Sequence, residues 1–270
     1  MVDSIQAPIG YLVDTGELPV FYQSDVAGER TNFEGEREFR PMNVRNARQL
    51  PNTFTLDREG FAFIAHYSAV SDFYDDAQLH EIYNAEAEAL VRQHLGATRA
   101  LVFDHTRRSS SQKIREAHNA RDPANAAHTD YTDWSAGNRL TAVMEGEAEA
   151  LLEKRFAIVN VWRSTAGTIE EWPLGLCSWD SVTDERLHTV ERRAYNRVGQ
   201  TRHASYDPDN DWYYFPRMTE NEAILIKNYD TELDGRARYA LHTSFDDPTA
   251  LNKATPRESL ETRVLAFFDD

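Results

Sequence analysis

Apolar residues in the segment 71–96 recur every three or four positions, as they do along an amphipathic helix that packs one face on a core. The recurring positions are Leu79, Ile82, Tyr83, Ala87, Leu90 and Val91. Gly96 follows the last of them, and glycine is a frequent helix terminator. The pattern therefore predicts one helix over 71–96, and a second helical pattern covers residues 136–155.

Most other apolar stretches are short and rich in β-branched and aromatic residues, which is typical of strands. The segment 53–70 predicts two short strands or a strand and a turn. Further strands are predicted at 97–108, 156–165, 188–195, 212–218, 222–229, 237–245 and 262–268. Because no helical pattern separates most of these strands, the sequence predicts a mainly β fold with flanking helices, an antiparallel sandwich or barrel.

The first 52 residues contain only short alternating pieces, such as GYLVD and PVFYQ, interrupted by proline and glycine. They predict an extended N-terminal arm, residues 1–52, packed on a main domain of residues 53–270, so that the chain forms a single structural domain overall. Residues 109–126 form a polar loop of the kind that borders an active site.

The charge balance narrows the classes of partner. The 270 residues include 29 basic and 45 acidic ones, a formal net charge of −16, whereas binding to nucleic acid needs clustered Lys and Arg. We therefore expect a small-molecule substrate or a protein partner, and no nucleic acid. A symmetric homodimer is a common assembly for enzymes of this size.

Cysteine usage and the absence of long apolar stretches indicate the compartment. A lone cysteine, Cys177, cannot form an internal disulfide and is more typical of a small buried apolar residue than of a nucleophile. No stretch reaches the ~20 apolar residues of a membrane span, and the N-terminal residues lack a basic region followed by an apolar run. We expect a cytoplasmic protein that does not enter a membrane.

The triplet His128-Thr129-Asp130 directly follows the polar loop. On a strand, residues i and i+2 project from the same face, so the imidazole of His128 and the carboxylate of Asp130 can reach one ion. These are two of the three side chains of the two-histidine, one-carboxylate triad that holds ferrous iron and leaves coordination positions open. Alone, the triplet is weak evidence, since a histidine and an acid at this spacing often occur by chance.

A third ligand has to come from a histidine after the triplet, and the sequence has three: His188, His203 and His242. His188 lies among charged residues and is expected at the surface, whereas His203, in GQTRHASYD, stays an alternative. His242 has the better surroundings, because the buried-type strand NEAILIKNYD precedes it and the pair Arg257 and Ser259 follows it.

The pair Arg257 and Ser259 suits a dicarboxylate cosubstrate, which a guanidinium binds through two parallel hydrogen bonds and a hydroxyl through one more. Arg263, in the terminal strand, is a second candidate cation for that role. A simpler interpretation pairs Arg257 with the acids of FDDP, residues 245–248, as an ordinary ion pair.

Eight stretches of the chain, taken in order, carry a resemblance to a known family. They are TLDREGFAFIAHYSAVSDF, LVFDHTRR, AHTDYT, FAIVNVWRS, WPLGLCSWDSV, WYYFPRMTENEAILIKNYD, DGRARYALHTSFDDP and PRESLETRVLAFF. In their order and spacing the chain resembles, from about residue 33 to residue 269, the CmcJ/NvfI family of oxidoreductases of secondary metabolism. The resemblance implies a double-stranded β-helix, or jelly roll, and a non-haem iron oxygenase that commonly depends on 2-oxoglutarate.

The same resemblance implies roles for individual residues. Fe(II) would be bound by His128, Asp130 and His242, and 2-oxoglutarate by Arg257, Ser259 and Arg263. With O2, such enzymes abstract a hydrogen atom from a small molecule, which leads to hydroxylation, desaturation or cyclisation. The candidate residues of the substrate pocket are Tyr131, Asn160, Trp162 and Arg163. Several members carry a histidine where this chain has Asn210, so the role of His242 needs a direct test.

Other functions are compatible with a jelly roll. One is a non-oxidative metal enzyme, and another is a binding module of a biosynthetic assembly without chemistry of its own. A third keeps iron and O2 but draws all electrons from the substrate instead of 2-oxoglutarate. Intact ligands at 128, 130 and 242 argue against the binding module and do not separate the metal enzymes from each other.

Overall fold

The computed structural model describes residues 3–22, 32–51, 54–194 and 197–269. The strands in these ranges are β1 Ser4–Val13, β2 Val20–Tyr22, β3 Asn32–Glu34, β4 Glu36–Asn46, β5 Phe61–Ala65, β6 Arg99–Ser109, β7 His128–Thr129, β8 Phe156–Ser164, β9 Leu174–Cys177, β10 Leu187–Ala194, β11 Arg197–Ala204, β12 Trp212–Tyr214, β13 Glu222–Asp230, β14 Leu241–Ser244 and β15 Glu258–Phe267. The helices are α1 Asp76–Gln78, α2 Asn84–Leu95, α3 Gln112–His118, α4 Asp133–Val143 and α5 Ala148–Leu152, with a π-helical turn, Leu79–Tyr83, between α1 and α2. Three short 3-10 helices cover Ala47–Gln49, Trp179–Ser181 and Asp184–Arg186.

Two curled sheets form the jelly roll that the resemblance implies, and the predicted mainly β fold is confirmed. The large sheet has ten strands in the order β1-β4-β12-β9-β14-β7-β11-β10-β2-β3, and the small sheet has the order β5-β13-β8-β15-β6. All pairs of the small sheet are antiparallel. The two inner faces enclose the space in which the functional residues meet.

The helix predicted over 71–96 is confirmed as α1, the π-helical turn and α2. It ends at Gly96, whose φ of 71° is the left-handed conformation that a residue without Cβ adopts at no steric cost. Its apolar face packs on the outer face of the small sheet, with Leu90 and Val91 in one cluster with Val161 and Val264. No helix in the described ranges is long and apolar enough to cross a membrane.

The second helical pattern forms two helices instead of one. Thr132 caps the start of α4, accepting a hydrogen bond from the backbone of Ser135, in a capping box. Gly146, with a φ of 84°, then separates α4 from α5, because a left-handed residue cannot continue an α-helix. Within the polar loop of residues 109–126 the structure also forms the short helix α3.

Within the main domain, residues 53–270, the structure contains two strands, β9 and β11, that the sequence does not predict, and strands β1 to β4 lie in the segment predicted only as an extended arm. In β11, the sequence RVGQTRHA has few apolar residues, since part of its inner face borders the functional site instead of packing in a core. The other predicted strands are confirmed, and the segment 53–70 contains one strand, β5, followed by irregular chain. Residue 53 and residue 195, at the ends of predicted strand segments, lie outside the described ranges.

The N-terminal residues contribute strands β1 to β4 to the large sheet. Strands β1 and β4 pair over ten residues, from Ser4 with Arg45 to Val13 with Glu36. Ile9 and Tyr11 of β1 pack with Trp212 and Leu241. The pair of strands β1 and β4 therefore supports, from outside, the strands whose inner faces carry the site. Residues 1–2, 23–31 and 52 of the predicted arm lie outside the described ranges.

Strand β8 shows how the two faces of the small sheet differ. Trp162 packs in a cluster with Leu176 of the large sheet, whereas Val161 packs in the cluster that includes α2. Because side chains alternate along a strand, Asn160 shares the inner face with Trp162, and Arg163 shares the outer face with Val161. This alternation decides which predicted residues can reach the site.

Candidate active site

The short strand β7 places three histidines side by side. It lies between β14 and β11, and His128 pairs in register with His242 on one side and with His203 on the other. Directly opposed residues of neighbouring strands project to the same face. The three imidazoles therefore form a row on the inner face of the large sheet, and Asp130 follows at the end of β7.

His128, Asp130 and His242 form a group with the geometry of a metal site. One ligand atom from each side chain lies within 4.8 Å of the other two. The rings of His128 and His242 have centroids 4.4 Å apart, and His128 Nε2 is 3.5 Å from Asp130 Oδ1. His242 and Asp130 are buried, at 2% and 8% exposure. Two imidazoles and one carboxylate on one side of an ion would leave the other side open, as the facial triad requires.

Backbone carbonyls fix which nitrogen of each histidine is available. His128 Nδ1 lies 2.7 Å from the carbonyl of Ala126, and His242 Nδ1 lies 3.1 Å from the carbonyl of Ala240. Since a carbonyl oxygen only accepts, each Nδ1 carries the proton and each Nε2 presents a lone pair. The Nε2 of His242 is buried and has no hydrogen-bond partner in the part of the chain that the structure describes. A metal ion bound to Nε2 of His242 would give this lone pair a partner.

The second carboxylate oxygen of Asp130 is held by two donors. Asn160 Nδ2 and Arg263 Nε each donate to Oδ2 over 3.0 Å. The backbone N–H of Asp130 donates to Asn228 Oδ1, also over 3.0 Å. These contacts orient the carboxylate so that Oδ1 is the oxygen near His128. Such outer-shell partners fix ligand orientation and tune ligand basicity.

The charges of the site match a dication. Burial raises the pKa of Asp130, but the positive charge of Arg263 outweighs it and holds this pKa well below its usual value. Burial lowers the pKa of His242 to about 4. At neutral pH, Asp130 is therefore ionised and His242 is neutral, the protonation states in which both side chains bind metal.

We expect Asn160→Ala to lower the affinity for Fe(II) by about 10–100-fold, the usual effect of removing an outer-shell partner. The variant loses one of the two hydrogen bonds that orient the Asp130 carboxylate. Competition with a metal chelator measures the change. The matched control is Asn138→Ala, at an exposed position of α4, which should leave the affinity unchanged. Equal affinities for both variants would contradict the role of Asn160.

Arg257 lies across a narrow cavity from the histidines. The residues that line this cavity include His128, His242, Trp162, Arg108 and Arg257. The guanidinium of Arg257 is 2% exposed, donates to Ser259 Oγ over 3.2 Å and to the Trp172 carbonyl over 2.6 Å, and lies over the Trp162 ring. It hydrogen bonds with these groups and not with the acids at 246–247, so the simpler ion-pair interpretation does not hold.

Arg263 has a different place from the one predicted. Its guanidinium hydrogen bonds with the carboxylates of Asp130, Asp104 and Glu261. Three carboxylates satisfy its charge, so the geometry assigns it to the support of Asp130 instead of a cosubstrate.

The four predicted pocket residues do not lie together. Two of them face the inside of the fold, one packs against helix α4, and one lies on the outer face of the small sheet. Trp162 lines the cavity next to Arg257, and Asn160 contacts Asp130. Tyr131 is 8% exposed and packs with Leu140 of α4, with its pKa raised by burial. Arg163 does not reach the site.

Arg163 projects from the outer face of β8. Its guanidinium donates to the carbonyls of His66 and Glu220 and lies over the rings of Phe73 and Tyr83. The prediction that Arg163 lines the pocket is wrong, because the sequence predicts strand β8 but does not show which of its alternating side chains face inward.

The remaining histidine candidates and Asn210 lie outside the group of three. The ring of His203 stacks on that of His128 at 5.5 Å, yet no nitrogen of His203 joins the 4.8 Å group. His188 contacts Ser205 through Nε2 at 2.9 Å. Asn210 hydrogen bonds with Tyr11 of β1 and with the Ser181 carbonyl.

Asn228 and Glu261 are site residues that the sequence does not indicate as functional. Both stand in strands that are otherwise almost wholly buried, β13 and β15. The available signal is a run of polar residues inside an apolar strand, Lys227 to Asp230 in β13 and Glu258 to Arg263 in β15. Buried polar groups need partners, and here Asn228 accepts from the backbone N–H of Asp130 and Glu261 accepts from Arg263.

Comparisons with known proteins agree with this geometry. The family model described as "Oxidoreductase/YMDC permease-like domain" matches residues 9–267. The hydroxylase/desaturase CTB9 of Cercospora beticola is 32% identical over 255 residues, 86% of this chain and 78% of CTB9. The Fe(II)/2-oxoglutarate-dependent dioxygenase nvfI of Aspergillus novofumigatus is 31% identical over 240 residues, 84% of each chain. A solved structure of the iron and alpha-ketoglutarate-dependent endoperoxidase NvfI superposes with a TM-score of 0.85 at 25% identity, over 99% of both chains.

Proposed function

We propose, from the premise that this chain belongs to the oxidoreductase/YMDC permease-like domain family, that it is an Fe(II)- and 2-oxoglutarate-dependent oxygenase acting on a small organic molecule. One observation carries the proposal. The buried Nε2 of His242, which has no hydrogen-bond partner among the described residues, lies in one ligand group with His128 and Asp130, and both histidines line a cavity that Arg257 lines as well. The two histidines and the aspartate suit a metal ion, and the guanidinium of Arg257 suits a dicarboxylate.

The metal would be held by His128 Nε2, Asp130 Oδ1 and His242 Nε2. When bound, Fe(II) with 2-oxoglutarate and O2 supplies the oxidant that removes a hydrogen atom from a substrate C–H bond. The protein contributes the fixed orientation of the ligands: Ala126 and Ala240 hold the imidazoles, and Asn160 and Arg263 hold the carboxylate. A preorganised ligand set needs no rearrangement when the metal binds.

Arg257 and Ser259 would anchor the distal carboxylate of 2-oxoglutarate. Burial, with the nearby charge of Arg108, lowers the pKa of Arg257 to about 9, so its guanidinium is still charged at neutral pH. A buried charge without a carboxylate partner is costly, and an anionic cosubstrate offsets that cost. Trp162, which lies against the guanidinium, forms an apolar wall of the same cavity and excludes water from it.

The relatives named above are described as a hydroxylase/desaturase, a dioxygenase and an endoperoxidase. We include hydroxylation, desaturation and cyclisation as outcomes that this site supports, since each begins with removal of a hydrogen atom. We also place the reaction in the cytoplasm, supported by the single cysteine, and on a small molecule instead of a nucleic acid, supported by the excess of acidic residues. Light scattering on the purified protein decides between a monomer and a homodimer.

Anaerobic titration of the ferrous protein with 2-oxoglutarate tests the proposal. We expect a weak visible charge-transfer band that saturates at one equivalent per iron, because the keto acid chelates the metal. Succinate, which lacks the keto oxygen, is the matched control and should give no band. A protein that binds iron without this band would be an oxidase that does not use 2-oxoglutarate, and a protein that binds no iron would not be an oxygenase.

A further inference from the structure

We propose that Glu261 is a specificity-determining residue of the cavity that Arg257 lines, because its carboxylate rejects 2-oxo acids whose second carboxylate lies beside it. The inference rests on the proposed function, since it concerns the length of the acid that spans from the metal group to Arg257. It predicts a cosubstrate of the length of 2-oxoglutarate and the exclusion of oxaloacetate, which is one methylene shorter.

Strand β15 places Glu261 between the two ends of the cavity. Ser259, Glu261 and Arg263 are two residues apart along this strand and therefore share one face. Ser259 accepts a hydrogen bond from Arg257, and Arg263 donates one to Asp130. Glu261 therefore lies between the residue that contacts the proposed cosubstrate anchor and the residue that supports the metal group.

The neighbouring strand β8 shows the same order. Trp162 pairs in register with Glu261, and Asn160, which donates to Asp130, pairs with Arg263. Directly opposed residues of neighbouring strands project to the same face. Both Trp162 and Glu261 line the cavity that the two histidines of the metal group and the anchor arginine line. A ligand that spans this cavity would pass between its ends along the row of Trp162 and Glu261.

Arg263 does not cancel the charge that Glu261 brings to the cavity. Glu261 is 5% exposed and forms an ion pair with Arg263. The same guanidinium also hydrogen bonds with Asp130 and Asp104. One positive charge is therefore shared among three carboxylates, and this group as a whole remains negative.

Two other arginines, Arg257 and Arg121, interact electrostatically with Glu261. Burial lowers the pKa of both, and the charge of Glu261 opposes this lowering. A second carboxylate of a ligand at Arg257 would receive charge-assisted hydrogen bonds. Beside Glu261 it would meet a carboxylate, which only accepts hydrogen bonds and repels a like charge. The two positions are therefore opposite in their preference for a carboxylate.

The length of the acid decides which of these positions its second carboxylate reaches. With the 2-oxo end at the metal group, the second carboxylate of 2-oxoglutarate would reach Arg257, and only methylene groups would pass Glu261 and Trp162. In oxaloacetate the second carboxylate would stop short of Arg257, on the side of Glu261. Repulsion of a competitor is one of the two ways in which a binding site gains specificity.

Anaerobic titration of the ferrous protein with 2-oxoglutarate, oxaloacetate and pyruvate measures three Kd values from the charge-transfer band. We expect the wild type to prefer 2-oxoglutarate to oxaloacetate by at least about 100-fold, and Glu261→Gln to bind oxaloacetate about tenfold more tightly than the wild type does, since a like charge is removed. Pyruvate has no second carboxylate, so its Kd should be the same in both proteins. The pyruvate titration also corrects for pyruvate formed from oxaloacetate.

Two further variants separate the charge of Glu261 from its packing. Glu261→Asp keeps the negative charge and should reject oxaloacetate as the wild type does. Glu258→Gln removes a carboxylate from the other face of β15, where Glu258 contacts Tyr74, and should keep the wild-type preference. Iron content after desalting is measured for each protein and should be unchanged.

A wild type that binds oxaloacetate as tightly as 2-oxoglutarate, or an unchanged preference in Glu261→Gln, would overturn the role of Glu261 and leave the proposed function intact. Loss of iron in Glu261→Gln would make Glu261 a support of the metal group and would also overturn its role in selection. A wild type that gives no band with 2-oxoglutarate would overturn the proposed function, and the inference with it.

Discussion

Replacing His242 by alanine is expected to abolish stable iron binding, with an affinity at least about 100-fold weaker, since even outer-shell partners are worth 10–100-fold. The variant removes the Nε2 that is buried without a hydrogen-bond partner in the described ranges. His203→Ala is the matched comparison, because His203 is equally buried and stands next to His128 in the same row. Metal analysis of both proteins after anaerobic reconstitution and desalting measures the difference.

The two variants separate the two candidate third ligands. We expect His203→Ala to retain one iron per chain and His242→Ala to retain almost none. Circular dichroism of both variants is the control that separates a loss of iron from a loss of structure. The reverse result would make His203 the third ligand and would exclude His242.

Replacing Arg257 by methionine is expected to raise the Kd for 2-oxoglutarate by at least about 100-fold, since two charge-assisted hydrogen bonds are lost at about 1.5–3 kcal/mol each. Methionine fills much of the buried space of arginine but brings no charge to the cavity. The anaerobic titration of the charge-transfer band measures the Kd, and the band itself should be unchanged at saturation, because the metal ligands are intact.

Arg257→Lys and Arg217→Met complete this test. Lysine restores the charge without the two-pronged geometry, so we expect an intermediate Kd. Arg217 is an exposed arginine whose side chain is 56% accessible, and its replacement should have no effect. A wild-type Kd in Arg257→Met would move the anchor to another cation, and Arg108, which lines the same cavity, would be the next residue to replace.

The paired strands β1 and β4 pack on the outer side of the strands that carry the row of histidines. Tyr11 accepts a hydrogen bond from Trp212 Nε1 over 2.9 Å, and burial raises the pKa of Tyr11. Trp212 and Leu241 lie in the same buried cluster, and Leu241 directly precedes His242, the proposed third ligand. The outer packing of these strands therefore limits movement of a ligand on the inner face, as rigid support of a functional site requires.

Local sequence patterns were sufficient for most of the elements of the main domain and for two of the three proposed ligands. The period of apolar residues gives the helix at 71–96, because burial of one helix face leaves a repeat that can be read directly. The spacing of His128 and Asp130 is likewise local, and it predicts two side chains that lie together at the end of β7. For Arg257 and Ser259, two residues apart on one face, the same reasoning applies.

The order and parity of the strands had to come from the tertiary structure. His242 and His203 are 114 and 75 residues from His128, and both become its neighbours because β14 and β11 flank β7. The alternation of side chains along β8 turns Trp162 toward the cavity and Arg163 toward Tyr83 of the π-helical turn. A repeat in sequence records that a residue is buried, but not which distant strand lies beside it. The sequence by itself therefore determined most of the elements and the types of the candidate ligands. Only the strand order of the large sheet decided which histidine completes the group, and only the contacts of Arg263 and Arg257 decided which arginine remains for an anion.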